Sequence, residues 1–335
     1  MDNKKITRVC YPVTLYIFLQ YLLLSTPEEI KQTFFFFPNP CFKEIAEKVE
    51  HKKYFSFGTF PRFFRIILWL PYWLWYMTMK EFFWKFLKTS ELFLADHCVW
   101  GAILGRKYKY NLLEDGIALY ADRLLEQNWG TIREWLLSPF PKKCWGLNDN
   151  CKTIYMTHKI SPNSPLQGKH IEVNSFEKCW LEATKEKRNM ILNFFGVTQE
   201  DLALIKKHKT LVLTQPFSEI KYLTEKREIQ SYSNMIADLK ISDFLIKLHP
   251  AEKKDYCKHF PQADVYTKPM PMELFCLLGC NFEKVITVTS TAVLLFKGKA
   301  EIIWYGEKFS EELNLKMNTQ MPESVKNILA DSTES

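Results

Sequence analysis

Several apolar stretches of this sequence end in short groups of polar residues whose side chains could move protons and bind anions. In chain order these groups are Glu114-Asp115-Gly116 after NLL, His249-Pro250 after FLIKL and Ser290-Thr291 after KVITV. A carboxylate can take the proton of an attacking hydroxyl group, and an imidazole can donate one to a leaving group. Hydroxyls that open a helix can bind a phosphate together with the backbone N–H groups of that helix. The residue types therefore suit a ligand site in which protons move and an anion is bound.

Two further groups occupy the same kind of position. Asp96-His97 follows the apolar run LFLA, and Glu219 lies a few residues beyond LVLT. Each group also has an ordinary structural interpretation: Asp-Gly is a common turn, a proline holds the preceding histidine extended, Ser-Thr caps helices, and Asp-His can be a buried hydrogen-bonded pair. The combination and its order along the chain favour the functional interpretation.

The elements that must position these residues alternate between strands and helices. In the first half, strands are predicted at 6–10, 33–37, 53–57, 92–95, 111–113, 153–157 and 170–173, and a charged helix is predicted from Phe176 to Phe195. The second half has strands at 211–214, 244–248, 284–288 and 302–305, with helical patterns between them. Such alternation predicts an α/β fold with parallel sheets.

The domain organisation follows from this alternation. We predict two Rossmann-like domains facing a central cleft: residues 1–197 with an aromatic helical insertion near 60–90, residues 198–321, and a disordered tail at 322–335. Open α/β sheets bind ligands at the carboxyl ends of their strands. The polar groups all follow strands, so we expect them to converge on the cleft.

Composition indicates a globular protein and argues against a disordered chain. The chain has 335 residues, 47% of them hydrophobic, which is enough for two cores. The net charge of +7 is spread along the chain, so an anionic substrate or membrane surface fits, and nucleic-acid binding is not indicated. The nine cysteines have no metal-ligand spacing and suggest reduced cytosolic thiols. The apolar amino terminus lacks a cleavage site and is better interpreted as a strand and a buried helix than as a signal peptide.

The three short groups resemble the motifs of bacterial sialyltransferases: EDG at Glu114 to Gly116, HP at His249-Pro250 and ST at Ser290-Thr291. The surrounding sequence, including CYPVTLYIFLQYLLL and FLADH, looks most like glycosyltransferase family 52. The resemblance covers roughly residues 6–305. It implies a GT-B fold and an inverting transfer of sialic acid from CMP-sialic acid to a glycan acceptor, such as a galactoside of lipooligosaccharide or capsular polysaccharide.

The resemblance also implies roles for individual residues. Asp115 or Glu114 would be the general base, His249 would assist the leaving phosphate, and Glu273 would hold the ribose of CMP. Ser290, Thr291 and Pro250 would line the donor site, with Gly116, Asp96 and His97 beside the base. Glu219 is a second candidate for the base, because members of the family differ in this acid. Asp115 is favoured because a strand and Gly116 hold it rigidly. No DxD sequence or histidine cluster is present, so metal-independent catalysis without a cofactor is expected.

Two other functions are compatible with the sequence. One is a GT-B transferase that uses another nucleotide sugar. The other is a noncatalytic, membrane-associated scaffold of polysaccharide assembly, suggested by the aromatic and basic segment 62–88. Its apolar part, 66–79, is about 21 Å long as a helix and too short to span a bilayer, so we expect either an interfacial helix or burial in a homodimer or domain core. The expected location is the bacterial cytoplasm, including the inner face of the membrane.

Overall fold

The computed structural model describes residues 6–54, 87–120 and 144–330. The chain divides into two compact units, residues 1–194 and residues 195–335. The boundary predicted from sequence lies three residues further along, at 197/198. Most of the aromatic segment 62–88 lies outside the described residues. No helix within the described ranges is both long and apolar enough to cross a membrane.

The first unit contains a sheet of seven parallel strands in the order β3-β2-β1-β4-β5-β6-β7. The strands are β1 (Arg8–Tyr11), β2 (Thr33–Phe37), β3 (Lys52–Tyr54), β4 (Glu91–Leu94), β5 (Tyr110–Leu113), β6 (Cys151–Met156) and β7 (Ile171–Val173). Strand β1 pairs with both β2 and β4, placing Arg8 opposite Thr33 and Glu91. Because all strands are parallel, residues that follow β4, β5 and β6 meet at one edge.

Helices cover this sheet. They are α1 (Leu15–Leu24), α2 (Pro27–Lys31), α3 (Lys43–Glu47), α4 (Val99–Lys107), α5 (Phe176–Glu182) and α6 (Lys185–Phe194), with 3-10 helices at Pro40–Phe42 and Gly116–Tyr120. Helix α1 is buried along almost its whole length, and Phe18 packs edge-on against Phe35 and Phe37 of β2. Thr14 caps α1 by accepting a hydrogen bond from the Ile17 N–H. This cap fixes the start of α1 beside the end of β1.

The second unit contains five parallel strands in the order β10-β9-β8-β11-β12. The strands are β8 (Thr210–Leu213), β9 (Leu245–Lys247), β10 (Asp264–Tyr266), β11 (Lys284–Thr287) and β12 (Glu301–Trp304). The helices are α7 (Gln199–Lys207), α8 (Glu225–Asp238), α9 (Tyr256–His259), α10 (Met272–Leu277), α11 (Glu311–Asn314) and α12 (Glu323–Ala330), with 3-10 helices at Thr291–Phe296 and Gly306–Lys308. Its core includes Val212, Phe244 and Ile286.

Four elements differ from the sequence prediction. The charged helix expected from Phe176 to Phe195 is broken into α5 and α6, because Ala183 is extended. The segment after Ser290 is a 3-10 helix. Strand β10 was missed because its three residues DVY give too short a pattern. Within the tail expected to be disordered from residue 322, residues Glu323–Ala330 instead form α12, in which Val325 is buried.

Candidate active site

The two acids that follow β5 have different environments. Glu114 is 2% exposed and accepts hydrogen bonds from the hydroxyls of Tyr16 and Tyr120, both at 2.5 Å. It also accepts the Thr157 N–H at 2.6 Å and the Thr157 hydroxyl at 3.0 Å. Four donor groups therefore occupy this carboxylate, which satisfies a buried charge. Glu114 ties α1, β5 and the end of β6 together.

Asp115 lies nearer the surface, with 21% of its side chain exposed. Its Oδ1 accepts a hydrogen bond from the Thr14 hydroxyl at 3.0 Å, and its Oδ2 lies 3.0 Å from His97 Nε2. Each carboxylate oxygen has two lone pairs, so Asp115 retains capacity to accept another proton donor. Of the two acids predicted from EDG, Asp115 is the one whose side chain is partly exposed and retains acceptor capacity.

His97 is held from several sides. Its ring stacks on the Trp145 indole with centroids 4.1 Å apart and planes inclined by 1°. Burial opposes the charged form of the ring, but the hydrogen bonds to Asp115 and Cys98 outweigh burial and raise the pKa of His97 to about 10. At neutral pH His97 is therefore an imidazolium, which donates from Nε2 to Asp115 Oδ2.

Asp96 holds the backbone turn that carries Trp145. It is buried and accepts the backbone N–H groups of Trp145 and Gly146 at 2.7 and 2.9 Å and the Tyr110 hydroxyl at 2.6 Å. Trp145 and Gly146 both have positive φ, which is costly for tryptophan and needs such support. Asp96, predicted as a binding residue, thus holds the turn that presents Trp145 to His97. Burial raises its pKa.

Gly116 has φ of 65°, and the space where a Cβ would lie is open. Its role is conformational, because this left-handed backbone ends β5 immediately after Asp115 and begins the 3-10 helix Gly116–Tyr120. That helix carries the Tyr120 hydroxyl back to Glu114. The EDG sequence is therefore both a turn and the frame of a candidate site.

In the second unit, His249 follows β9 and is oriented by its own loop. The Ala251 N–H donates to His249 Nδ1 at 3.1 Å, so Nδ1 is unprotonated and the ring proton is on Nε2. The His249 N–H donates to Glu252 at 2.7 Å. Partial desolvation and the neighbouring Lys247 ammonium lower the pKa of His249. Pro250, which lies between His249 and Ala251, is exposed and shapes the turn.

Glu219 belongs to a buried ionic cluster. The Lys254 side chain, 2% exposed, lies 2.7 Å from Glu219, 3.0 Å from Glu228 and 3.5 Å from Glu252. Burial raises the pKa of Glu219, but Lys254 and the Lys253 N–H outweigh it and leave the pKa below its ordinary value. Lys254 thus binds the Glu219 carboxylate into the same cluster as Glu228 and Glu252.

The remaining predicted residues surround the ends of β9 and β11. Ser290 caps the 3-10 helix by accepting the Ala292 N–H, and its own N–H donates to Thr287. Thr291 is the first residue of this 3-10 helix. Glu273 lies in the first turn of α10.

A buried lysine accompanies this group. Lys247, the last residue of β9, is 5% exposed and donates to the Leu248 carbonyl at 3.0 Å. Burial lowers the pKa of Lys247 to about 8, against the opposing charges of Glu252 and Glu273. Its partial charge faces the same strand end as His249.

Sequence reasoning missed the residues that orient the acids and His249, namely Thr14, Tyr16, Tyr120, Trp145, Thr157, Lys247, Glu252 and Lys254. Thr14 could have been found, because a threonine before an apolar helical run is a typical helix cap. The others come from distant parts of the chain and carry no local signal. Among the described residues, no three His, Cys, Asp or Glu side chains are grouped as metal ligands would be.

Comparison with known proteins decides the family. The sequence matches glycosyltransferase family 52 over residues 74–306. The chain belongs to glycosyltransferase family 52. It is also 30% identical over 230 residues to an uncharacterised protein of Haemophilus influenzae, and the match covers 69% of this chain and 72% of that protein. The chain is therefore a glycosyltransferase, as the resemblance to family 52 predicted.

Solved structures establish the fold. An α/β-galactoside α-2,3-sialyltransferase from Photobacterium phosphoreum superposes with a TM-score of 0.55 at 13% identity, covering 98% of this chain and 97% of that one. A 2,6-sialyltransferase from a Photobacterium species, solved with CMP and lactose, has a TM-score of 0.54 at 11% identity, covering 89% and 71%. The predicted fold class, two Rossmann-like domains of the GT-B type, is confirmed.

Proposed function

We propose that this glycosyltransferase moves sialic acid from CMP-sialic acid to a hydroxyl group of a galactoside, with inversion and without a metal ion. Membership of family 52 and likeness in fold to sialyltransferases support this choice of reaction. The observation that carries the proposal is the contrast between the two acids: Glu114 accepts four hydrogen-bond donors, while Asp115 is partly exposed and paired with His97.

Asp115 acts as the general base in this proposal. A neutral hydroxyl is a poor nucleophile, so a carboxylate within about 3 Å of it should take its proton as the bond to the sugar forms. Thr14 and His97 fix the direction of both carboxylate oxygens. This rigid support favours reaction because the base does not have to reorient.

His249 stabilises the leaving phosphate. The hydrogen bond from Ala251 to Nδ1 leaves the Nε2 proton to be donated to a phosphate oxygen. Negative charge grows on that oxygen as the bond to the sugar breaks, so the hydrogen bond strengthens in the transition state. The buried Lys247 adds positive charge at the same strand end. The hydroxyls of Ser290 and Thr291 would bind the phosphate, and Glu273 would accept the ribose hydroxyls.

In this proposal the first unit, which contains Asp115, activates the acceptor hydroxyl. The second unit, which contains His249, Ser290 and Thr291, binds the nucleotide. The acceptor we propose is a galactoside of a cell-surface lipooligosaccharide or capsular polysaccharide. Such an acceptor would be met at the inner face of a bacterial cytoplasmic membrane, where segment 62–88 would provide peripheral contact. A homodimer is compatible with this arrangement.

The test is to incubate the purified protein with CMP-sialic acid and a panel of galactosides that includes lactose. The proposal requires release of CMP together with a sialylated product, in amounts that match. UDP- and GDP-sugars serve as controls for the donor. Transfer from one of these donors, with none from CMP-sialic acid, would replace the proposed donor.

A further inference from the structure

The second unit contains a cavity at the edge of the sheet opposite to His249 and Ser290. Its volume is about 270 Å³. Lys209 and Glu283, which line it, directly precede strands β8 and β11, whereas the candidate site residues follow β9 and β11. The cavity therefore lies at the amino ends of the strands and belongs to a different surface from the candidate active site.

Two cysteines face each other in this cavity. Cys276 lies near the end of α10, and Cys280 follows Gly279, whose φ of 73° turns the chain back. The two thiols are hydrogen-bonded to each other. The hydrogen bond from Cys276 and the nearby Lys299 ammonium lower the pKa of Cys280, whereas the pKa of Cys276 is raised. Cys280 is therefore the sulfur of this pair that ionises more readily.

Other cysteines of the chain lack this arrangement. Burial raises the pKa of Cys41 to about 11 and the pKa of Cys144 and of Cys151 to about 12. Cys276 and Cys280 are both partly accessible. Two neighbouring thiols, one of which ionises more readily, and an open cavity beside them are the features of an oxidisable dithiol.

We propose that Cys276 and Cys280 react with a hydroperoxide that enters this cavity and close into an intramolecular disulfide. The Cys280 thiolate attacks one peroxide oxygen, breaks the O–O bond and becomes a sulfenic acid, releasing hydroxide from hydrogen peroxide. The Cys276 thiol then attacks the Cys280 sulfur, forms the S–S bond and expels the sulfenic oxygen as water. In sum, two thiols and one hydrogen peroxide give one disulfide and two waters.

The disulfide acts on the nucleotide site, a statement that rests on the proposed function. Cys276 lies one helical turn after Glu273 in the six-residue helix α10. Helix α10 packs against the 3-10 helix Thr291–Phe296, and Phe296 lines the cavity. Helix α10 thus begins near Glu273, the proposed ribose contact, and the 3-10 helix begins at Thr291, a proposed phosphate contact. Both elements end beside the cavity that holds the two cysteines. Drawing the two sulfurs into a bond shifts the end of α10, and we expect affinity for CMP to fall.

Chemical mapping tests the dithiol directly. The full chain carrying Cys257→Ser, which removes an exposed thiol, is treated with hydrogen peroxide, alkylated and digested with trypsin. The peptide from His259 to Lys284 contains both cysteines and no others. The inference requires this peptide to lose two hydrogen atoms and resist alkylation until it is reduced. Full alkylation at both positions under conditions that oxidise other cysteines would overturn it.

Single variants separate the two roles. Cys280→Ser should oxidise at residue 276 at least about tenfold more slowly, because the attacking thiolate is lost. Cys276→Ser should stop at a sulfenic acid on Cys280 that a 1,3-diketone traps. Oxidation of both variants at the rate of the parent protein would refute the assignment.

Calorimetric titration with CMP tests the coupling, using reduced and oxidised protein. Weaker binding after oxidation, restored by a thiol reductant, supports the inference. Equal affinity in the two states rejects the coupling even if the disulfide forms. Failure of the reduced protein to bind CMP would instead reject the proposed donor.

Discussion

Replacing Asp115 with asparagine removes one negative charge and keeps the shape of the side chain. The amide can still accept a hydrogen bond from Thr14, but it cannot take a proton from an acceptor hydroxyl. A positioned general base contributes a factor of about 10² to 10⁴ in rate. We therefore expect kcat to fall by about that factor while CMP binding changes little, because the nucleotide contacts are assigned to the other unit.

The same change has a second, independent signature. Asp115 accepts a hydrogen bond from His97 at 3.0 Å and is a cause of its raised pKa. In Asp115→Asn the pKa of His97 should fall from about 10 toward the ordinary value of about 6.5. Histidine NMR titration of wild type and variant measures this shift. The loss of a hydrogen bond to a charged group should lower the free energy of unfolding by about 1.5–3 kcal/mol.

Glu219→Gln is the matched control, because it neutralises the rival acid. It weakens the ion pair with Lys254 and should lower stability, yet kcat per folded molecule should stay within about tenfold of wild type. Turnover is measured as CMP release coupled to product formation, with folding checked by thermal melting. Normal turnover of folded Asp115→Asn together with loss of turnover in Glu219→Gln would refute the assignment of the base.

Three further predictions follow from the same contacts. His249→Ala should lower kcat by a factor of about 10² to 10³, because a donor to the leaving phosphate is lost, and should lower the free energy of unfolding by no more than about 1 kcal/mol, because the side chain is exposed. A sialyl donor with a better leaving group should restore turnover, whereas normal turnover of CMP-sialic acid by the variant would make His249 a structural residue. Excess EDTA should leave the rate within about twofold, whereas loss that Mg²⁺ or Mn²⁺ restores would contradict a metal-free reaction. The raised pKa of His97 contributes stability that is fully present below about pH 6.5 and is lost as pH rises through about 10. The free energy of unfolding, measured from pH 6 to 10.5, should show this loss in wild type and not in His97→Gln.

The sequence predicts strand ends well because parallel strands leave short apolar runs that stop at polar residues. It could not distinguish Glu114 from Asp115, since the difference depends on partners that lie far away in the chain. Tyr16 precedes Glu114 by 98 residues and Thr157 follows it by 43. Only the packing of α1 and β6 beside β5 shows that Glu114 is saturated with donors.

The same limit explains the position of Glu219. Its sequence position after β8 suggested a second base, but its ammonium partner Lys254 lies 35 residues later in a loop with no distinctive pattern. For Asp96, the sequence offered a buried, hydrogen-bonded pair with His97 as the alternative interpretation. Asp96 is indeed buried and hydrogen-bonded, but its partners are the Tyr110 hydroxyl and the backbone of Trp145 and Gly146. Contacts between residues far apart in the chain thus give each of these acids its environment, and no local sequence pattern shows them.

The most direct test of the central claim uses purified wild-type protein, CMP-sialic acid and lactose, with product identified by mass spectrometry. The account predicts one sialylated lactose for each CMP released, and loss of both signals in Asp115→Asn at unchanged CMP affinity. Release of CMP without sialylated product across the galactoside panel, or equal transfer by wild type and Asp115→Asn, would contradict it.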